Sequence, residues 1–198
     1  MAENYIIKPY LSEQEVQSCV RKLAEQIADD YKSILRPGED LLLVCVLKGA
    51  APFAVDLARQ LAKLGVPLVT DFVAYASYGS GTSSSGDVRE LLTLQVPVKD
   101  RHILVVEDII DSGRTMQKFI NRLRSMYCSS ISLCALFNKA CRREVQIRIN
   151  YCGREIPDDF IVGYGLDYDQ KHRFLEDGGV GVVEFIKQPT TESQGAQN

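Results

Sequence analysis

The chain has 198 residues, of which 45% are hydrophobic and 25% charged, a composition typical of one globular domain with a core of normal size. Its net charge of −3 and pI near 5.5 argue against non-specific nucleic-acid binding, although they do not exclude an anionic substrate. The longest apolar run, 41–47, is too short to cross a bilayer, so no membrane association is expected.

The N-terminal residues and the cysteines point to a compartment. Met1–Tyr5 lacks the basic and apolar regions of a signal peptide, so we expect a cytoplasmic protein. The six cysteines contain no Cys-x-x-Cys pair, and only two histidines could join them, which argues against a zinc site. In a reducing cytosol we expect free thiols, most of them small core residues.

Taken in order, the chain predicts strands that alternate with helices. A capping box of Ser12 and Glu15 opens the first helix, and Gly65 ends the second. The predicted elements are a helix from Ser12 to Lys32, a strand at 41–47, a helix from Pro52 to about Leu64, strands at 66–76 and 87–94, a strand beginning at Ile103, a helix from Thr115 to about Met126, and strands at 130–137, 151–154 and 180–185. This alternation is typical of an α/β fold with an open, mainly parallel, twisted sheet flanked by helices.

Three connecting segments carry further information. The segment 77–86 has no aliphatic residue and three glycines, so it cannot bury itself and should be mobile. The segment 97–102 reads as a surface turn, in which His102 is expected to be exposed and structural. The last residues, 187–198, are polar and are expected to form a disordered tail.

The central stretch, 103–115, has the design of a binding site. An apolar strand runs directly into three carboxylates, Glu107, Asp108 and Asp111, and then into small residues at a helix start. Backbone N–H groups at such a turn, with a helix N-terminus behind them, form an anion cradle. The carboxylates suit sugar hydroxyls, a metal ion or a proton. The stretch therefore predicts a site for a phosphorylated sugar.

This stretch resembles the phosphoribosyl-pyrophosphate (PRPP) motif of the hypoxanthine-guanine phosphoribosyltransferase family, among the type I phosphoribosyltransferases. Family members often read Glu-Asp-Ile-Ile-Asp-Thr-Gly-Lys-Thr here; this chain has Ser112 for Thr and Arg114 for Lys. Neither change removes the cradle, because Ser112 keeps the hydroxyl and the phosphate contacts of the family are largely backbone.

Three other segments share the resemblance, which extends from Leu41 to Arg173. Leu47-Lys48-Gly49 resembles the pyrophosphate loop, in which the peptide before the lysine can be cis. Ser77 and Tyr78 match the Ser-Tyr pair of the closing loop. The segment 156–173 resembles the family pattern Ile-Pro-x-x-Phe-Val-Val-Gly-Tyr-x-Leu-Asp-Tyr-x-x-x-x-Arg closely, although His172 departs from the aromatic residue common there.

The resemblance implies a role for each matched residue. Catalytic residues would be Asp111 as general base to purine N7, Lys139 as donor to purine O6, and the closing-loop pair Ser77 and Tyr78. PRPP and nucleotide would be held by Glu107, Asp108, Asp111, Ser112, Gly113, Arg114 and Thr115, pyrophosphate by Lys48, Gly49 and Arg173, and the purine by Lys139, Phe160, Ile161 and Asp167. The implied cofactor is Mg²⁺, near Asp167, Glu107 and Asp108.

The resemblance also implies the reaction and the organisation of the chain. The enzyme would join hypoxanthine or guanine to PRPP, giving IMP or GMP and pyrophosphate in purine salvage. We expect a single domain, 1–198, with a core at about 37–150 and a small hood from about 1–36 and 150–190. A homodimer or homotetramer is expected, with PRPP and 6-oxopurines as the small-molecule partners.

Two alternatives stay open. The first is a phosphoribosyltransferase of another preference: Lys139 and Phe160 argue against adenine, but nothing excludes xanthine. The second is a non-catalytic PRPP-binding regulator of the same fold, which could bind RNA. A regulator of that kind needs a basic face, which the acidic pI does not favour.

Overall fold

The computed structural model describes residues 5–77 and 88–186. Within these ranges the strands are β1 (Tyr5–Leu11), β2 (Leu41–Leu47), β3 (Leu68–Ser77), β4 (Val88–Leu92), β5 (His102–Ile110), β6 (Ser130–Asn138), β7 (Tyr151–Glu155), β8 (Ile161–Val162) and β9 (Val180–Phe185). The helices are α1 (Glu13–Ile34), α2 (Ala51–Lys63) and α3 (Arg114–Ser125), with a short 3-10 helix at Ala140–Arg142. The predicted tail at 187–198 and most of the predicted closing loop lie outside the described residues.

The larger of two sheets carries the fold. Its six strands lie in the order β4-β3-β2-β5-β6-β7, and all neighbours are parallel except β3 and β4. Strand β2 is buried on both faces: Leu41, Leu43 and Cys45 share a cluster with α1 and α2, whereas Leu42 and Val44 pack in a second cluster with α3. A continuous apolar run is what such a strand requires, so the predicted open α/β class is confirmed.

Helix α1 shows how local sequence and packing agree. Ser12 Oγ accepts the N–H of Glu15, and the Glu15 carboxylate accepts the Ser12 N–H at 2.9 Å, so the predicted capping box is present. Residues spaced three or four apart then bury one face of the helix against α2 and β7.

The smaller sheet has three antiparallel strands in the order β1-β9-β8, so it joins both parts of the chain that flank the large sheet. The Tyr5 hydroxyl lies 2.6 Å from His172 Nε2, and the Tyr164 hydroxyl donates to Asp56 of α2 at 2.7 Å. The core-and-hood division stays a prediction. Helix α1 and strand β7, both placed in the hood by that prediction, pack with the large sheet.

Two expectations about individual side chains are wrong. All six cysteines are free, but only Cys45 and Cys134 are buried; the other four are partly or fully exposed. The His102 side chain is only 17% exposed, because His102 opens β5 and its Nδ1 lies 2.7 Å from Ser130 Oγ on the neighbouring strand. None of the helices in the described part of the chain is long and apolar enough to span a membrane.

Candidate active site

The predicted site residues follow the carboxyl ends of parallel strands. Strand β2 leads into Lys48, β5 into Asp111, and β6 into Lys139. Because β5 lies between β2 and β6 with all three parallel, these connections open at one edge of the sheet. Ligands of open α/β sheets bind at that edge, outside the carboxyl ends of the strands.

Two carboxylates lie near the end of β5 in low-dielectric surroundings. Burial raises the pKa of Asp108 to about 6, although the Ile109 N–H, which donates to Asp108 Oδ1 at 2.7 Å, works against the rise. The pKa of Glu107 is also raised, by burial and then by the negative charge of Asp108. Glu107 Oε2 is buried and lacks a hydrogen-bond partner among the described residues. A buried oxygen of this kind is costly without a ligand, which marks the pair as a binding feature.

The loop after β2 packs tightly on this acidic pair. A Cβ at Gly49 would lie 1.6 Å from Asp108 Oδ2, so the carboxylate rests directly on the glycine backbone. The Gly49 carbonyl in turn lies 2.0 Å from where a Cβ at Gly165 would be. The peptide bond between Leu47 and Lys48 is cis. The loops 47–50 and 163–167 and the end of β5 are therefore in contact.

The turn between β5 and α3 has the geometry of an anion cradle. Gly113 has φ +82° and precedes the first residue of α3, and its carbonyl accepts the Gln117 N–H at 2.9 Å. The Ser112 carbonyl is tied back by the Glu144 N–H at 3.1 Å, so the turn is supported from behind. A cavity of about 120 Å³ opens here; it is lined by Glu107, Ile109, Ile110, Asp111, Ser112, Gly113, Thr115 and Met116.

The side chain of Arg114, one of the predicted PRPP-binding residues, is already paired with another residue. The Arg114 guanidinium forms an ion pair with the Glu144 carboxylate, and both side chains are about half exposed. The Arg114 backbone N–H donates to Ser112 Oγ within the turn at 3.4 Å. In this conformation the Arg114 side chain is directed to Glu144 in the loop after β6.

Two cationic side chains, Arg173 and Lys48, meet at the segment 165–170. Arg173 pairs with Asp167 Oδ1 at 2.8 Å and donates to the Gly165 carbonyl at 2.7 Å. Lys48 Nζ donates to Gln170 Oε1 at 3.4 Å, and Arg173 donates to the same oxygen at 3.0 Å. The two predicted pyrophosphate cations therefore converge on one neutral acceptor, which an anion can displace.

The predicted purine residues lie together beyond β6. Lys139 is only 8% exposed and donates to the Asp159 carbonyl at 2.8 Å. The Phe160 ring is 43% exposed and makes an edge contact with Tyr168, with ring centroids 5.3 Å apart. Ile161 is 5% exposed. An exposed aromatic ring beside a buried lysine offers a planar face and a directional donor.

Two predicted site residues have side chains that the structure does not describe, and two residues at the site were not predicted from the sequence. The Ser77 side chain and all of Tyr78 lie outside the described residues. Gln170 and Arg143 border the site, yet nothing in the sequence singled them out, because each lies in a polar run with no periodicity. The described residues contain no cluster of three or more His, Cys, Asp or Glu that could hold a metal ion unaided.

Comparison with known proteins gives the same family in sequence and structure. Residues 8–169 match the model of the phosphoribosyl transferase domain. Hypoxanthine-guanine phosphoribosyltransferase of Mycobacterium bovis is 43% identical over 166 residues, covering 83% of this chain and 81% of the relative. The Leishmania donovani protein of that name is 38% identical over 183 residues, covering 92% and 87%.

A solved structure extends the likeness to three dimensions. Trypanosoma cruzi hypoxanthine phosphoribosyl transferase, from work on how its C-terminal region affects oligomeric state and enzymatic activity, matches with a TM-score of 0.84 at 34% identity. The match covers 93% of this chain and 94% of that one.

Proposed function

The chain belongs to the phosphoribosyl transferase family, and from that premise we propose that it is a hypoxanthine-guanine phosphoribosyltransferase of purine salvage. It transfers the 5-phosphoribosyl group from PRPP to a 6-oxopurine and releases pyrophosphate. The observation that carries the proposal is the arrangement of three features at one sheet edge. Asp108 rests on Gly49 of the loop after β2, and its neighbour Glu107 lines one cavity with Ser112 and Gly113 of the anion cradle.

PRPP is held by two parts of the segment 103–115, one for its 5′-phosphate and one for its ribose. The cradle from Asp111 to Thr115 binds the 5′-phosphate through backbone N–H groups, and Glu107 and Asp108 accept the ribose hydroxyls. The partnerless Glu107 Oε2 supports this role, since a hydroxyl supplies the missing donor. Binding the remote phosphate fixes the position of the reacting carbon, C1′.

Bond breaking at C1′ leaves a cation-like sugar and a pyrophosphate that gains negative charge. Arg173 and Lys48 stabilise the departing group: both donate to the neutral Gln170 amide oxygen, which pyrophosphate oxygens can replace, while Arg173 is also held by Asp167 and the Gly165 carbonyl. Asp111 takes the proton from purine N7 as the new bond forms. Its carboxylate is exposed in the cavity beside the cradle, where a substrate can reach it.

The purine is read by Lys139 and Phe160. Lys139 donates to O6 of the base, which favours a 6-oxo over a 6-amino group, because an amino group would place a donor against a donor. Phe160 stacks on the base, Ile161 contributes backbone contacts to the base edge, and Asp167 lies beside it. The contact of Lys139 with the Asp159 carbonyl, in the residue next to Phe160, supports this role.

The residues present fit Mg²⁺ as the cofactor. Mg²⁺ keeps several waters and binds one or two carboxylates together with substrate phosphates, so it needs no dedicated protein cage. Asp167 offers a carboxylate beside Arg173, and Glu107 and Asp108 offer oxygens on the ribose side. When bound, Mg²⁺ supplies positive charge that neutralises the leaving pyrophosphate.

The proposal also covers the compartment, the assembly and the domain division of the enzyme. We place it in the cytoplasm as a homodimer or homotetramer, with the core at about 37–150 and the hood over the base. The C-terminal region of the Trypanosoma cruzi relative was studied for its role in oligomeric state, so the oligomeric state of this chain in solution is worth measuring as well.

The deciding experiment is a steady-state assay with PRPP and Mg²⁺ against hypoxanthine, guanine, xanthine and adenine in parallel. Turnover of hypoxanthine and guanine, with adenine inert, is the expected result. Turnover of xanthine above the other bases would reassign the preference. Absence of turnover for every base, with PRPP still bound in calorimetry, would overturn the enzyme assignment and favour a PRPP-binding regulator.

A further inference from the structure

The loop after β6 contains a partly buried cation, Arg143, that the proposed mechanism does not use. Nη1 of Arg143 is shielded from solvent and has no hydrogen-bond partner among the described residues. Nη2 of the same guanidinium donates to the Ile110 carbonyl at 3.4 Å and to the Asn138 side chain. One half of the group therefore links the ends of β5 and β6, while the other half is left without an acceptor.

The partnerless nitrogen lies directly behind the anion cradle. Nη1 is 3.0 Å from the position that a Cβ at Gly113 would take, so the guanidinium rests against the backbone of the turn. Val145 and Ile147 contact the same point at 3.1–3.2 Å, and the Ser112 carbonyl accepts the Glu144 N–H at 3.1 Å. The segment that carries Arg143 thus forms the rear wall of the cradle.

The neighbouring arginines make this one unusual. Arg114, Arg142 and Arg173 each form an ion pair with a carboxylate: Glu144, Asp158 and Asp167 respectively. Among the described residues, Arg143 has no such ion pair within 4.0 Å. Burial lowers the pKa of Arg143, and the negative charge of Asp111 is the main effect that opposes this. A partly buried positive charge without a direct ion pair is costly, and an anion in the cradle would add negative charge to that of Asp111.

We propose that Arg143 is a positioning residue for the 5′-phosphate: its Nη1 faces the turn at Ser112–Gly113 from behind and provides the positive charge that the bound phosphate monoester completes. This inference rests on the proposed function. It adds a side-chain charge to a cradle that otherwise binds through backbone N–H groups, since the Arg114 side chain is directed to Glu144.

The test compares two ligands that differ only in the phosphate. IMP carries the 5′-phosphate, and inosine is the same nucleoside without it. Calorimetry gives the ratio of their affinities for the wild type, for R143Q, which keeps an amide donor but loses the charge, and for R143K, which keeps the charge. In R143Q we expect IMP affinity to fall about tenfold to a hundredfold, the effect of losing one charge-assisted interaction, while inosine affinity stays within about twofold.

Kinetics provide the second readout. The KM for PRPP should rise in R143Q by a similar factor with little change in kcat, and R143K should recover most of the loss. R142Q is the matched control, because Arg142 is adjacent and exposed but already has an ion-pair partner in Asp158; its IMP-to-inosine ratio should equal that of the wild type.

Two results would overturn the proposal. One is an unchanged IMP-to-inosine ratio in R143Q; the other is an equal loss of both ligands, which would show that Arg143 only supports the fold. If circular dichroism shows that R143Q does not fold, R143M is measured in its place, and its IMP-to-inosine affinity ratio is compared with that of the wild type. A wild type that binds IMP more tightly than inosine but turns over no purine would refute the proposed function while leaving this inference testable.

Discussion

Asp108 Oδ2 occupies the space that a β-carbon at Gly49 would need, with only 1.6 Å between the two positions. The glycine therefore belongs to the carboxylate site as much as to the loop after β2. The proposed pyrophosphate loop and the proposed ribose carboxylates touch through this contact, so we expect a change at either residue to move both parts of the site.

Gly49→Ala tests that contact. The added methyl overlaps the Asp108 carboxylate, and overpacking of this kind costs about 1–3 kcal/mol of unfolding free energy. Turnover should also fall, because the displaced carboxylate no longer faces the ribose. Urea unfolding of the single and double variants checks the cause: in an Asp108→Ala background the added methyl should cost much less. Equal costs in both backgrounds would show that the two residues are not coupled.

The raised pKa of Asp108 predicts a pH dependence of stability. Burial raises the folded-state pKa to about 6, above the value near 4 of an unfolded chain, so the folded protein binds this proton more tightly. The stabilisation is complete below about pH 4 and is lost as pH rises through about 6. Asp108→Asn removes the titration. Between pH 4 and 7, the unfolding free energy of the variant should therefore rise relative to that of the wild type by about 2–3 kcal/mol. Denaturant unfolding at several pH values measures the difference; a constant difference would contradict the prediction.

Asp111→Asn separates the general base from the phosphate cradle. The amide keeps the size of the side chain and leaves the backbone N–H groups of the turn in place, but it cannot take a proton. We expect kcat to fall by about 10²–10⁴-fold, while the Kd for PRPP changes little. Rapid-quench turnover and calorimetry give the two quantities separately. Weak PRPP binding with normal turnover would remove Asp111 from the base role.

Lys139→Ala tests how the base is read. Lys139 is buried at 8% exposure and held by the Asp159 carbonyl, so its loss removes a fixed donor without removing a surface charge. The ratio of kcat/KM for hypoxanthine to that for adenine should fall at least about tenfold, the effect of one charged hydrogen bond. Competition between the two purines measures this ratio directly. Selectivity equal to that of the wild type would show that Lys139 does not recognise O6.

Local pattern was sufficient wherever a residue's environment depends on its sequence neighbours. The apolar run at β2, the capping box at Ser12 and the glycine before α3 each impose a conformation through short-range sterics and hydrogen bonds, and all three are present. The α/β fold and the family assignment are confirmed as well. The catalytic roles of the individual site residues stay predictions.

Long-range pairing explains what the sequence could not reveal. Strand β1 was not predicted, because its pattern becomes meaningful only beside β9 at the other end of the chain. Gln170 and Arg143 enter the site through contacts with Lys48 and Gly113, each distant in sequence. The partial exposure of four cysteines likewise depends on which faces the neighbouring elements leave open.

The pairing of β1 with β9 has a consequence for how the protein is made. On the ribosome, β1 emerges before the six strands of the large sheet and its partner β9 after them, and β8 also needs β9 to complete the small sheet. The nascent chain can assemble the six-stranded sheet, and with it the phosphate turn, while β1 still has no strand to pair with. The small sheet can therefore close only after synthesis has passed Phe185, so a chain truncated before β9 would leave both β1 and β8 without their partner strand.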